Sequence, residues 1–155
     1  MTEAPTPELE LIFRAAARVA PPTVLGPIAG GVQCVVPILG GTFEGPNIRG
    51  TIVEGGADWQ MIRADGVAEL NAQYLLCTDD GVHIKVRNRG LRHGAPGVME
   101  RLRTGQEVDP RDYYFRTSPV FSAPSGKYEW LNRHIFLCAG ARFPEAVRLW
   151  FYKVT

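Results

Sequence analysis

The segment VAELNAQYLLCTDDGVHIKVRNRG, Val67 to Gly90, decides the fold. In its second half Val82, Ile84 and Val86 fall on one face and His83, Lys85 and Arg87 on the other. That two-residue period belongs to a half-buried strand. The first half reads as a long strand of its own, and Asp80-Gly81 joins the two. Asp-Gly is a strong hairpin signal, because glycine accepts the positive φ that a tight turn demands. A second Asp-Gly, Asp65-Gly66, closes the preceding run WQMIRADG in the same way.

Outward from this core the pattern repeats. GVQCVVPILGG, NIRGTIVEGG, YYFRTSPVF, YEWLNRHIFLCAG and AVRLWFYKV all read as strands, several ending in glycine. With 17 glycines and 12 prolines spread along 155 residues, the chain turns too often for long helices. Many short strands with turn signals at this spacing predict one antiparallel sandwich or barrel domain over residues 1–155. Two segments argue for helix. PGVMERLRTG has Pro96 near its start and Gly105 just past its end, as a short helix prefers. In PELELIFRAAARVA, Leu9, Ile12, Phe13 and Ala16 have helical spacing and alanine favours helix, although Leu9, Leu11 and Phe13 would also share one face of a strand.

A hydrophobic content of 45% supports a real core, and a net charge of +1 supplies no basic stripe for nucleic acid. The acidic start, MTEAPTPELELIF, lacks the basic flank and apolar run of a secretory signal, and no stretch is long and apolar enough to be read as a membrane helix. Cys34, Cys77 and Cys138 are odd in number and widely spaced, which reads as reduced, buried thiols in a cytoplasmic protein. His83, His93 and His134 show no metal-ligand spacing, and no cofactor motif is present, so no metal and no cofactor are expected.

The motifs G-G-A-D-W (55–59), Y-x-F-R-T (113–117) and Y-x-W-L-N (128–132), in that order, resemble an uncharacterised bacterial and fungal family of small β-barrel proteins of unknown function. The likeness spans roughly residues 8 to 154. It implies a closed, mostly antiparallel barrel of about eight strands, a self-associating protein, and a first strand at LELIFRAAARV in place of the helix. The chain departs from the family pattern at Asn71 and Gln73, where an acid and a base are replaced by amides, so chemistry is not placed on these two residues.

A site is sought where glycine is densest, GGTFEGPNIRGTIVEGGADWQ (40–60), around Asp58 and Trp59. Asp58 is expected either to cap a turn or to stand inside the barrel mouth as a general acid/base. Arg116, Tyr74 and Asn132 are the candidates to steady oxyanion charge. Trp59, Tyr114, Tyr128, Trp130, His134 and Glu44 are expected to bind substrate: strand alternation through KYEWLNRHIFL gathers Tyr128, Trp130 and His134 on one face, Tyr114 shares a face with Arg116, and Trp59 and Glu44 lie in the stretch around Asp58. The expected activity is cofactor-free proton chemistry, of the lyase, hydratase or isomerase kind, on a small carbonyl-bearing or aromatic metabolite. A non-catalytic carrier and an assembly scaffold with a filled lumen are the alternatives. The expected partners are a small-molecule ligand and further copies of the chain, with no nucleic acid and no membrane.

Overall fold

The computed structural model describes all residues, 1–155. Ten strands follow in order: β1 (Leu9–Val19), β2 (Thr23–Ile28), β3 (Gly31–Glu44), β4 (Arg49–Ile52), β5 (Ala57–Arg63), β6 (Ala68–Thr78), β7 (His83–Gly94), β8 (Tyr113–Ser122), β9 (Phe136–Arg142) and β10 (Ala146–Val154). One helix, α1 (Pro96–Arg103), links β7 to β8. Every pairing is antiparallel, and β1 closes the sheet by pairing β10 on one edge and β3 on the other. β1 with β2, and β4 with β5, each act as one interrupted strand along β3, so ten segments make a closed eight-stranded barrel. No helix is long and apolar enough to cross a membrane.

The hairpins at Asp65-Gly66 and Asp80-Gly81 form as the sequence predicts, with Gly66 at φ 86° and Gly81 at φ 87°. Gly40 and Gly41 mark the bend in β3, where its partners change from β2 and β5 to β1 and β4. At Gly41 (φ 147°) a Cβ would collide with the Ala16 carbonyl of β1, so the barrel closes there over bare backbone.

The helical spacing at the start of the chain is overridden. Phe13, Ala15 and Ala17 point inward from β1, and Phe13 stacks on its cross-strand partner Phe151 with ring centroids 4.3 Å apart. A helix would turn part of this row outward, whereas a strand buries all of it and completes the barrel. The second departure is YEWLNRHIF. Residues 129–133 form a short 3₁₀ turn, and β9 begins only at Phe136. This segment pairs with no neighbouring strand, so a strand there would leave its backbone groups without partners.

The inward residues change character along the barrel axis. At one end Phe13, Phe43, Phe121, Phe136 and Phe151 fill the lumen, with contacts such as Phe121 on Phe136 at 4.9 Å. Toward the other end they shrink or turn polar. β1 runs from Phe13 to Ala15 to Ala17, and β7 runs from Ile84 and Val86 to Asn88, Gly90 and Arg92. The fold thus builds a packed floor and leaves room above it.

Candidate functional site

Above the phenylalanine floor lies a cavity of about 80 Å³. Its walls are apolar on the β1, β3 and β10 side, where Ala17, Val36, Ile38 and Leu149 face in. The rest of the wall, from β5 round to β9, carries Asp58, Gln60, Tyr74, Asn88, Arg92 and Thr117, with Arg142 from the end of β9. Ala20, Pro22 and Pro144, from the loops after β1 and β9, also contribute to the lining.

The strand register explains the polar grouping. Val36, Asp58, Ala72 and Asn88 are successive cross-strand partners across β3, β5, β6 and β7. Residues opposite one another share a face, so Asp58 and Asn88 both enter the lumen with only the small Ala72 between them. One register step along, Leu70, Gly90 and Thr117 form a second row. Ala68, Arg92 and Phe115 form a third.

Asp58 is held by two donors. Gln60 Nε2 reaches one carboxylate oxygen at 2.8 Å, and the backbone N–H of Asn71 reaches the other at 2.9 Å. The Gln60 amide is in turn oriented by the Cys34 thiol, which donates to its Oε1 at 3.7 Å. Burial pushes the Asp58 carboxyl above the ordinary aspartate range, although these two hydrogen bonds and the charges of Arg92 and Arg142 pull the other way. Burial also pushes the Tyr74 phenol upward, so Tyr74 meets the cavity as a neutral hydroxyl. The Arg92 guanidinium is pushed down to about 10, first by burial and then by the neighbouring charge of Arg142.

Four buried side-chain polar atoms in the molecule find no partner within the protein, and three of them belong to cavity residues: Asn88 Oδ1, Arg92 Nε and Thr117 Oγ1. Buried polar groups are ordinarily paired, because each unpaired one costs about 1–3 kcal/mol. Their convergence on one cavity marks it as the candidate site.

Two of the residues predicted from the sequence, Asp58 and Tyr74, line this cavity. The others are placed elsewhere. Arg116 and Tyr114 are on the outer face of β8, with the guanidinium 5.7 Å from the Tyr114 ring centroid and Nη1 donating to the Phe115 carbonyl at 2.9 Å. Trp59 is 53% exposed in a surface groove beside Leu25, as it must be once its strand neighbour Asp58 points inward. Asn132 spends both ends of its amide on the Ala123 backbone, each at 2.8 Å. Tyr128 is buried, and its hydroxyl donates to Asp80 at 2.7 Å. Trp130 packs half-buried against Phe136, and His134 is exposed, with Nδ1 2.8 Å from the Trp130 carbonyl. Glu44 is exposed at the end of β3, in register with Arg14 and Arg49. A strand over 128–136 would gather Tyr128, Trp130, Asn132 and His134 onto one face, and the 3₁₀ turn dissolves that grouping.

Comparison with known proteins agrees with this fold. The family described as "Protein of unknown function (DUF3237)" matches residues 7–154. The chain belongs to this family. A UPF0311 protein of Clostridium acetobutylicum is 40% identical over 148 residues, covering 94% of this chain and 93% of that protein. The crystal structure of a conserved protein of unknown function from Rhodopseudomonas palustris superposes with a TM-score of 0.95 at 38% identity, covering 98% of this chain and all of the other. A hydroalkoxylation enzyme of Penicillium herquei is 29% identical over 126 residues, 81% of this chain and 69% of that enzyme. Within the DUF3237 barrel, the residues that sequence reasoning missed are Gln60, Asn88, Arg92, Thr117 and Arg142. Asn88 and Arg92 had a usable signal. The alternation of Val82, Ile84 and Val86, carried two steps past Asn88, places both on the inward face.

Proposed function

We propose that this DUF3237 barrel is an acid/base enzyme of the lyase, hydratase or isomerase kind, acting on a small, partly apolar, carbonyl-bearing or aromatic metabolite held in the lumen. The observation that carries the reading is Asp58, a carboxylate with both oxygens held in place, facing a cavity with one apolar wall where burial raises its proton affinity. A carboxyl whose proton affinity is raised in this way is a stronger base than an ordinary aspartate and can return the proton it accepts. Asp58 takes a proton from a hydroxyl or from a carbon beside a carbonyl, and returns it to carbon. The Tyr74 hydroxyl and the Arg92 guanidinium donate to the oxygen on which negative charge develops. The hydroalkoxylation named for the Penicillium relative is chemistry of this kind, since it adds an O–H across a carbon–carbon double bond and so moves one proton from oxygen to carbon.

The test is proton NMR in heavy water with a panel of small ketones, unsaturated acids and alkenyl phenols. The expected result is deuterium incorporation or an addition product for at least one compound, slowed about 10²-fold or more in Asp58→Asn. Ligands that bind with neither exchange nor product would replace the enzyme reading with a carrier.

A further inference from the structure

The charges around the cavity do not balance. Two guanidinium groups, Arg92 and Arg142, line it with a single carboxylate, Asp58. None of the seven salt bridges in the molecule involves any of the three. Both oxygens of Asp58 are occupied by Gln60 and Asn71 instead. Arg92 is only 4% exposed, its Nε has no partner, and its guanidinium carbon lies 5.5 Å from the centre of the Phe115 ring. An arginine this deep with no carboxylate in salt-bridge contact is costly, because the desolvation of a buried ion amounts to several kcal/mol and is offset only by an opposite charge with good geometry. The Thr117 hydroxyl, also without a partner, lies on the neighbouring strand within the same lining.

We infer that the counter-charge is brought by the ligand: the lumen takes a small organic monoanion whose charge sits on oxygen, a carboxylate or a phenolate, with that group on Arg92 and its carbon skeleton against Ala17, Val36, Ile38 and Leu149. A guanidinium fork matches the two coplanar oxygens of a carboxylate, and its N–H groups also suit the single oxygen of a phenolate. Arg142, half-buried where β9 ends, adds a second positive charge to the lining. This rests on the lumen being the ligand site, and it narrows the metabolite of the acid/base reading to an acidic one.

The experiment is calorimetric titration of the intact protein with benzoate, 4-nitrophenolate, inorganic phosphate and benzamide, the last having the shape of benzoate without its charge. At least one organic anion is expected to bind tenfold or more tighter than benzamide. Which of the two wins tells carboxylate from phenolate. Arg92→Gln is expected to remove the preference, Arg92→Lys to keep part of it, and Arg142→Gln to weaken it less than Arg92→Gln. Equal binding of benzamide, binding of phosphate alone, no binding of either organic anion, or an unchanged preference in a folded Arg92→Gln would each overturn the inference. Asp58→Asn separates the two readings. It removes a like charge from the lumen, so anion binding is retained or tightened while deuterium exchange is lost. If exchange survives in Asp58→Asn and the anion preference holds, the acid/base reading falls and the anion site stands.

Discussion

The ring of Phe115 lies against the bare backbone of Gly140, in the space a side chain there would occupy. A Cβ on Gly140 would stand 2.6 Å from the ring, closer than such atoms approach in practice. The Arg92 guanidinium is over the same ring. Glycine on β9 therefore sets the aromatic ring on β8, and the ring sets the arginine on β7.

Gly140→Ala should push Phe115 toward the cavity and cost about 1–3 kcal/mol, the usual penalty for overpacking a tight site. Urea unfolding reads the loss. Gly140→Ala combined with Phe115→Leu should recover much of it, since neighbours that share one space are not additive. Full additivity would mean that the ring is not what resists the methyl group.

Asp58→Asn should leave the ligand-free protein as stable as wild type, or more so, near neutral pH. The sign follows from the upward shift of the Asp58 carboxyl. A group whose folded-state pKa is raised favours the protonated fold, so its contribution is present below the unfolded value and is lost as pH rises through the raised one. Melting curves between pH 4 and 8 should show the wild type losing ground to Asp58→Asn as pH rises. The reaction should show the matching limb, with the rate falling as acid protonates Asp58 at a pH above the ordinary aspartate value.

Arg92→Met should raise the stability of the ligand-free barrel by about 0.5–2 kcal/mol, in line with the gain usually seen when a binding residue is traded for packing. Thermal melts with and without the tightest-binding anion check it. The variant should melt higher without ligand and gain little when ligand is added.

Phe13→Ala should cost about 3–5 kcal/mol, because it empties the centre of the floor, where Phe13 touches Phe43, Phe121 and Phe151. Chemical denaturation measures this directly.

Asp80→Asn should lower the melting temperature by loosening Tyr128 and Lys127, both of which donate to Asp80. Hydrogen bonds from Thr78 and Tyr128 hold the Asp80 carboxyl down to about 2. A lowered value stabilises above the unfolded pKa and is lost as pH falls, so the gap between wild type and variant should close between about pH 4 and pH 2.

The barrel was legible wherever turn chemistry and alternation agreed, as at Asp65-Gly66, Asp80-Gly81 and the strand from His83. It was illegible where local preference and closure disagreed. The alanines of β1 favour a helix, and only the partners β3 and β10, distant in sequence, make them a strand. For the site, alternation split β8 into its two faces, but the aromatic and charged face, Tyr114 and Arg116, looks outward. Large amphipathic side chains suit solvent as well as a lumen, whereas Asn88 and Thr117 signal only by being polar among inward residues. At Tyr128–His134 alternation misled, because nothing local records that the segment has no strand to pair with.

The seam between β1 and β10 joins residues about 140 positions apart, Leu9 with Val154 and Phe13 with Phe151. On a ribosome, β1 emerges long before the strand that completes it, while the β6–β7 and β7–β8 hairpins can form from nearby residues. Long-range pairings of this kind fold slowly. Until β10 arrives, β1 and β9 each present an open edge and Phe13 has no ring to stack on. Any truncation that removes β10 therefore leaves no smaller barrel, only a sheet with two sticky margins.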